Sequence, residues 1–160
     1  MLDNTIVIVT SDHREQFGEH GRYDHGNSLY LPVLSVPLLI SCPGHVPQDT
    51  SVAQPVSMRD LASVFTDLTG VAGGSPIPGT SLARFWDRRR FTDTTSGSPI
   101  WSLVRPALRP LGNYPTAKGA IHSLVRGDLH FIRNGDCSEA LYDVVRDSAR
   151  NNELSGYPPQ

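Results

Sequence analysis

Apolar and polar positions follow three rhythms along the chain. From Thr5 to Thr10 the residues Thr-Ile-Val-Ile-Val-Thr form a nearly continuous β-branched run. That is the pattern of a strand buried on both faces, which needs neighbouring strands and covering helices. Val36-Pro37-Leu38-Leu39-Ile40-Ser41 reads as a second buried strand, closed by Pro43-Gly44, with Pro37 at its start or edge. Between them, Asn27 to Val33 predicts a short helix or turn that stops near Pro32. From Ser57 the rhythm becomes helical. Leu61, Val64, Phe65 and Leu68 recur at 3.6-residue spacing, Ser57 and Asp60 resemble a capping box, and Gly70 ends the helix.

Past Gly73 to Gly79, a Gly/Pro loop, Thr80 or Ser81 opens a short helix through Trp86, and 88–97 reads as a mobile stretch. The rhythm then turns to alternation. Ile100 to Val104 alternates weakly. Ala120 to Arg126 and Leu129 to Arg133 flank Gly127-Asp128, which is a hairpin signal. Ala140 to Val144 predicts one more strand, and Ser148 to Leu154 a closing helical turn. The expected architecture is therefore α/β: parallel strands with helices over 1–98, followed by a small antiparallel subdomain over 99–160.

Composition adds limits. The chain has 160 residues, 38% hydrophobic and 19% charged, suiting one globular domain or a piece of one. Its formal net charge is −2, and Arg88-Arg89-Arg90, the only basic run, reads as a solvated helix end or loop; nucleic acid is not an expected partner. No apolar run reaches the length of a membrane span, no signal peptide opens the chain, and localisation is not readable. Cys42 and Cys137 could pair or remain free. The strand at Thr5 follows only four residues, so the expectation is the C-terminal part of a larger α/β protein, or a gene model that begins too late.

The candidate chemistry lies where the first strand ends. Asp12-His13 follows Ser11 directly, and the Gly-punctuated stretch 14–26 carries His20 and His25. In open α/β sheets functional groups gather beyond the carboxyl ends of strands. A carboxylate beside an imidazole makes a mixed oxygen/nitrogen ligand pair suited to Zn²⁺ or Mn²⁺, and less obviously to Ca²⁺ or Mg²⁺. Two ligands do not complete a site. His25 could return to it and donate to an anionic oxygen or a leaving group. His20 reads as a loop histidine, Glu15 and Glu19 as solvated or as charges favouring a helix N-terminus, and His45, His122 and His130 carry no assigned chemistry.

The whole string is more specific than the pair. Asn4 to Thr10, Ser11-Asp12-His13, Gly18-Glu19-His20-Gly21, His25-Gly26-Asn27-Ser28-Leu29-Tyr30, Val36 to Ile40 and Pro43-Gly44 together resemble the sulfatase family of the alkaline-phosphatase-like superfamily. Val56 to Gly70, Pro78 to Leu82 and Leu141-Tyr142-Asp143 extend the likeness toward the C-terminal part of such proteins. The resemblance implies a metal-dependent hydrolase of sulfuric esters, with a small-molecule or glycan sulfate ester as substrate. It also leaves room for a phosphoric-ester hydrolase, a phosphoethanolamine transferase or a non-catalytic metal-binding remnant. It implies metal ligation by Asp12 and His13 and contact of His25 with the substrate oxyanion or leaving oxygen. The family leans to Ca²⁺, while the Asp-His pair leaves Mn²⁺ and Zn²⁺ open.

Two departures from the family pattern stand out. Arg14 takes the place of a usual Gly, which is costly if the position needs a positive φ. The Cys/Ser-x-Pro-x-Arg motif that carries the family's nucleophile has no match at Cys42 or Cys137, so the isolated chain is expected to be inactive or nearly so.

Overall fold

The computed structural model describes residues 2–25, 27–71, 77–90, 98–106, 114–146 and 154. Contacts divide the chain into two units, Met1–Thr10 with Pro37–Ser98 and Ser11–Val36 with Pro99–Gln160.

In the first unit, β1 (Val7–Thr10) pairs with β4 (Leu38–Ser41). The register runs Val7↔Ser41, Ile8↔Ile40, Val9↔Leu39 and Thr10↔Leu38, and the pair is antiparallel. Among the described residues every ladder is antiparallel, so the parallel strands expected from the apolar runs are not seen. The local reason is the connection. A parallel return needs a crossover, usually a substantial helix, and among the described residues of 11–37 the one α-helix is the four-residue α1 (Leu31–Leu34). Nor is either strand buried on both faces: Ile8 and Ile40 are half-buried, while Val9 and Leu39 are 53% and 62% exposed.

Helix α2 (Leu61–Thr69) follows a 3₁₀ turn at Met58–Asp60. Ser57 Oγ accepts from the Arg59 amide, which supplies the expected cap. Asp60 does not close a capping box. Its carboxylate reaches forward instead, accepting from the Thr80 amide at 2.9 Å and from the Arg84 guanidinium at 3.3 Å. Val64 is fully buried, whereas Phe65, placed on the apolar stripe by spacing, is 53% exposed. Gly70, at φ 67°, ends the helix. A second glycine closes the clamp: at Gly79 (φ 100°) a Cβ would collide with the Arg59 carbonyl, so only a bare backbone lets Thr80 approach Asp60. Ser81 caps the 3₁₀ turn Leu82–Phe85. Arg89 and Arg90 are paired with Asp87 and Asp67 rather than simply solvated.

The second unit is built on a four-stranded antiparallel sheet in the order β5 (Ile100–Val104), β6 (Ile121–Arg126), β7 (Leu129–Arg133), β8 (Glu139–Asp143). The Gly127-Asp128 hairpin forms as expected, with Gly127 at φ 54°. Alternate positions face inward. Ile121, Ile132, Ala140 and Tyr142 pack with Leu29, and Tyr30, Leu34 and Val104 lie against that cluster. These contacts are why segment 11–36 groups with the C-terminal sheet. Pro32 lies in the first turn of α1, where a missing N–H costs no helical bond, so it helps start the helix it was expected to stop. His130 is a core residue whose Nε2 lies 2.8 Å from Ser123 Oγ, both side chains being buried. Cys42 and Cys137 are free thiols. The helical turn expected at 148–154 and most of the stretch at 88–97 fall outside the described residues.

Candidate metal and ester site

All three sequence-derived site residues belong to the second unit. Ser11 Oγ donates to the His13 carbonyl at 2.6 Å and turns the chain immediately after β1. The turn lets neighbouring side chains at 12 and 13 share one side. The Asp12 carboxylate accepts from the His13 amide at 3.0 Å, and its Oδ2 stands 3.8 Å from His13 Nε2. Asp12 is 87% exposed, and the amide donors of His13 and of its own backbone hold its carboxyl below the usual value. It is therefore an ionised oxygen donor at neutral pH.

The loop beyond is a small hairpin that periodicity could not reveal. β2 (Gln16–Phe17) pairs with β3 (Tyr23–Asp24) around a 3₁₀ turn at Glu19–Gly21. Glu19 bonds the Phe17 amide at 2.6 Å, so it braces the turn. Gln16 is buried and accepts from Ser28 Oγ at 2.8 Å. His20 stacks on Tyr30 with ring centroids 3.8 Å apart, a structural role that agrees with its reading as a loop histidine.

This hairpin carries His25 back to His13. The two rings stack with centroids 4.0 Å apart and 18° between planes. Glu15 joins them: its Oε1 lies 2.6 Å from His25 Nδ1. His13, Glu15 and His25 each place a ligand-type atom within 4.8 Å of the others. Asp12 stands outside that triplet but within reach of His13. Sequence reasoning missed Glu15, because its neighbour is ten residues away and the hairpin that joins them has two-residue strands.

Arg14 is not among the residues with positive φ. Its amide donates to the Val33 carbonyl at 3.0 Å and its guanidinium to the Ser35 carbonyl at 3.1 Å. The backbone here does not demand glycine, and the cation ties the loop to the end of α1.

The donor chemistry suits a divalent ion. Imidazole nitrogen and carboxylate oxygen are available at 13 and 12, and a hard or borderline cation accepts both. Glu15 and His25 Nδ1 are a different case. Two ligands of one tetrahedral ion sit roughly 3.3 Å apart at ordinary bond lengths, and 2.6 Å is a hydrogen bond.

The sulfatase family model matches residues 1–71. Those residues belong to the sulfatase family. The match covers β1, the Asp12-His13 turn, the hairpin with His25, β4 and α2. An N-acetylglucosamine-6-O-sulfatase from Bacteroides thetaiotaomicron is 39% identical over 82 residues, which is 51% of this chain and 14% of that protein. Arylsulfatase K from Canis lupus familiaris is 32% identical over 108 residues, 64% of this chain and 19% of the relative. The chain thus spans less than a fifth of the length of these sulfatases. Its fold is like that of a protein solved with its substrate D-glucosamine-2-N,6-O-disulfate (TM-score 0.74, 23% identity, 97% of this chain, 31% of the other). It is also like that of a phosphonate monoester hydrolase from Silicibacter pomeroyi (TM-score 0.71, 22% identity, 96% and 31%). The alkaline-phosphatase-like fold expected from the sequence is supported by these neighbours.

Proposed function

We propose that this chain supplies the metal-binding and leaving-group side of a sulfuric-ester hydrolase acting on sulfated glycans. The observation that carries the reading is the stacking of His13 on His25 at 4.0 Å, inside the segment that matches the sulfatase family. Asp12 and His13 are the proposed ligands of a divalent cation, Ca²⁺ by family with Mn²⁺ and Zn²⁺ compatible with the donors. When bound, such an ion would act as a Lewis acid toward the anionic ester and fix its orientation. Asp12 contributes full negative charge and His13 a directional nitrogen. His25 donates a hydrogen bond or a proton to the oxygen that departs, which offsets charge developing there. The glycan assignment follows the name of the N-acetylglucosamine-6-O-sulfatase relative. Phosphoric esters are the second reading, because a phosphonate monoester hydrolase shares the fold.

Calorimetric titration of the chain with Ca²⁺, Mn²⁺ and Zn²⁺ tests the ligand assignment. Asp12→Ala and His13→Ala should each weaken binding by about tenfold or more, the loss of roughly 1.4 kcal/mol. His25→Ala should leave metal affinity nearly intact and weaken binding of inorganic sulfate to the metal-loaded chain. Wild-type metal affinity in Asp12→Ala would overturn the assignment.

A further inference from the structure

We propose that Glu15 is the positioning residue for His25, holding a proton on Nδ1 so that Nε2 alone exchanges a proton with the ester oxygen. The inference rests on the reading of His25 given above. Nothing in the family likeness assigns Glu15; the geometry does.

Two carboxylates face the same ring nitrogen. Glu15 Oε1 lies 2.6 Å from His25 Nδ1 and Asp24 Oδ1 lies 3.3 Å from it. An ionised carboxylate only accepts hydrogen bonds, so the nitrogen it faces must carry hydrogen. The remaining constraints leave the ring little choice of pose. His13 covers one of its faces. Asp24 Oδ1 takes the His25 amide at 2.7 Å, and Asp24 Oδ2 takes the Tyr114 hydroxyl at 3.3 Å. Asp24 adopts φ 104°, a conformation that a non-glycine residue keeps only when its surroundings enforce it. Asn27, whose Nδ2 donates to the His25 carbonyl at 3.1 Å, accepts from Thr116 Oγ1 at 3.1 Å. The fork in chemistry follows. With both nitrogens protonated, Nε2–H is the donor left for the departing oxygen. After that proton moves to the oxygen and the ester bond breaks, the ring is already the Nδ1–H tautomer, with its lone pair at Nε2. No ring flip intervenes, and the same atom can accept a proton in the next step. Outer carboxylates orient imidazoles in this way at many reactive centres.

Ring ¹⁵N NMR of the full chain reads the tautomer directly, at about pH 8, where an ordinary imidazole is neutral. Wild-type His25 should report hydrogen at Nδ1. Glu15→Ala should move the ring toward the Nε2–H form, and Glu15→Gln, whose amide oxygen still accepts, should restore the wild-type signature. The backbone amides of β6 and β7 report whether each variant is folded. An unchanged tautomer in folded Glu15→Ala would overturn the proposal, as would failure of Glu15→Gln to restore it. Titration with inorganic sulfate separates the two readings. A tautomer shift in Glu15→Ala together with a His25 ring blind to sulfate keeps Glu15 as the positioning residue and removes His25 from the ester site.

Discussion

The surroundings of Asp60 and of Ile121 present two ways of holding a small unit together. Around Asp60 the ties are polar. One carboxylate, 12% exposed, takes an amide and a guanidinium from residues 20 and 24 positions further on, and Arg84 also donates to the carbonyls of Thr80 and Ser81. The strand pair of the same unit leaves Val9 and Leu39 largely in water. Around Ile121 the ties are apolar: five buried side chains from β6, β7, β8 and the segment before α1 form one cluster. The difference is one of strand number. A four-stranded sheet with a covered face buries every second residue, whereas a two-stranded pair cannot do so by itself.

The comparison predicts where each unit breaks. The largest effect is expected for Asp60→Ala, which strands a mostly buried guanidinium and should cost about 4 kcal/mol, seen as a lowered denaturant midpoint for probes in α2. Ile121→Ala should cost about 3 kcal/mol through lost burial and a cavity, with hydrogen-exchange protection falling across β5–β8 rather than in α2. Equal losses in both units for either variant would mean that they unfold together and that the distinction has no thermodynamic content. Acid gives a smaller, graded effect. The hydrogen bond from Arg90 lowers the Asp67 carboxyl, and the one from Lys118 holds Asp136 far below the usual range. A depressed folded value means stability fully present above about pH 4 and lost as pH falls through that value. Both contributions should therefore fade only below the usual carboxylate range, which carboxyl chemical shifts followed during acid titration would reveal. The smallest effect is expected at Val9→Ser, within about 0.5 kcal/mol, because the side chain is already half in water. A large loss there would show that the β1–β4 pair depends on its exposed row.

The same contrast explains what could be read in advance. Residues 121–133 announce themselves through two short strand-like runs flanking Gly127-Asp128, and both strands and turn are found there. The helix at 61–69 is legible from its spacing and from Gly70. The direction of β1 relative to β4 is not, because an apolar run encodes burial and says nothing of which way its neighbour points. Pro32 misled because the ring that ends a helix from within also suits its first turn. At the candidate site, the approach of His13 to His25 was anticipated as a return of the loop. Glu15 reads from sequence as solvated or as a charge favouring a helix N-terminus, since its partnership follows from a hairpin in which Gly18, His20 and Asp24 take positive φ over a few residues. Such turns leave no repeating signature.

The Thr116–Asn27 and Tyr114–Asp24 bonds join groups 89 and 90 positions apart. A ribosome releases the chain from its amino end, so His25 exists as a nascent segment long before the residues that fasten it have been translated. Assembly of this imidazole's cradle consequently waits for partners made some ninety positions later. The Asp60 clamp, whose farthest tie spans 24 positions, needs a much shorter stretch of chain to close, so the two cradles differ in how long each must wait for its parts.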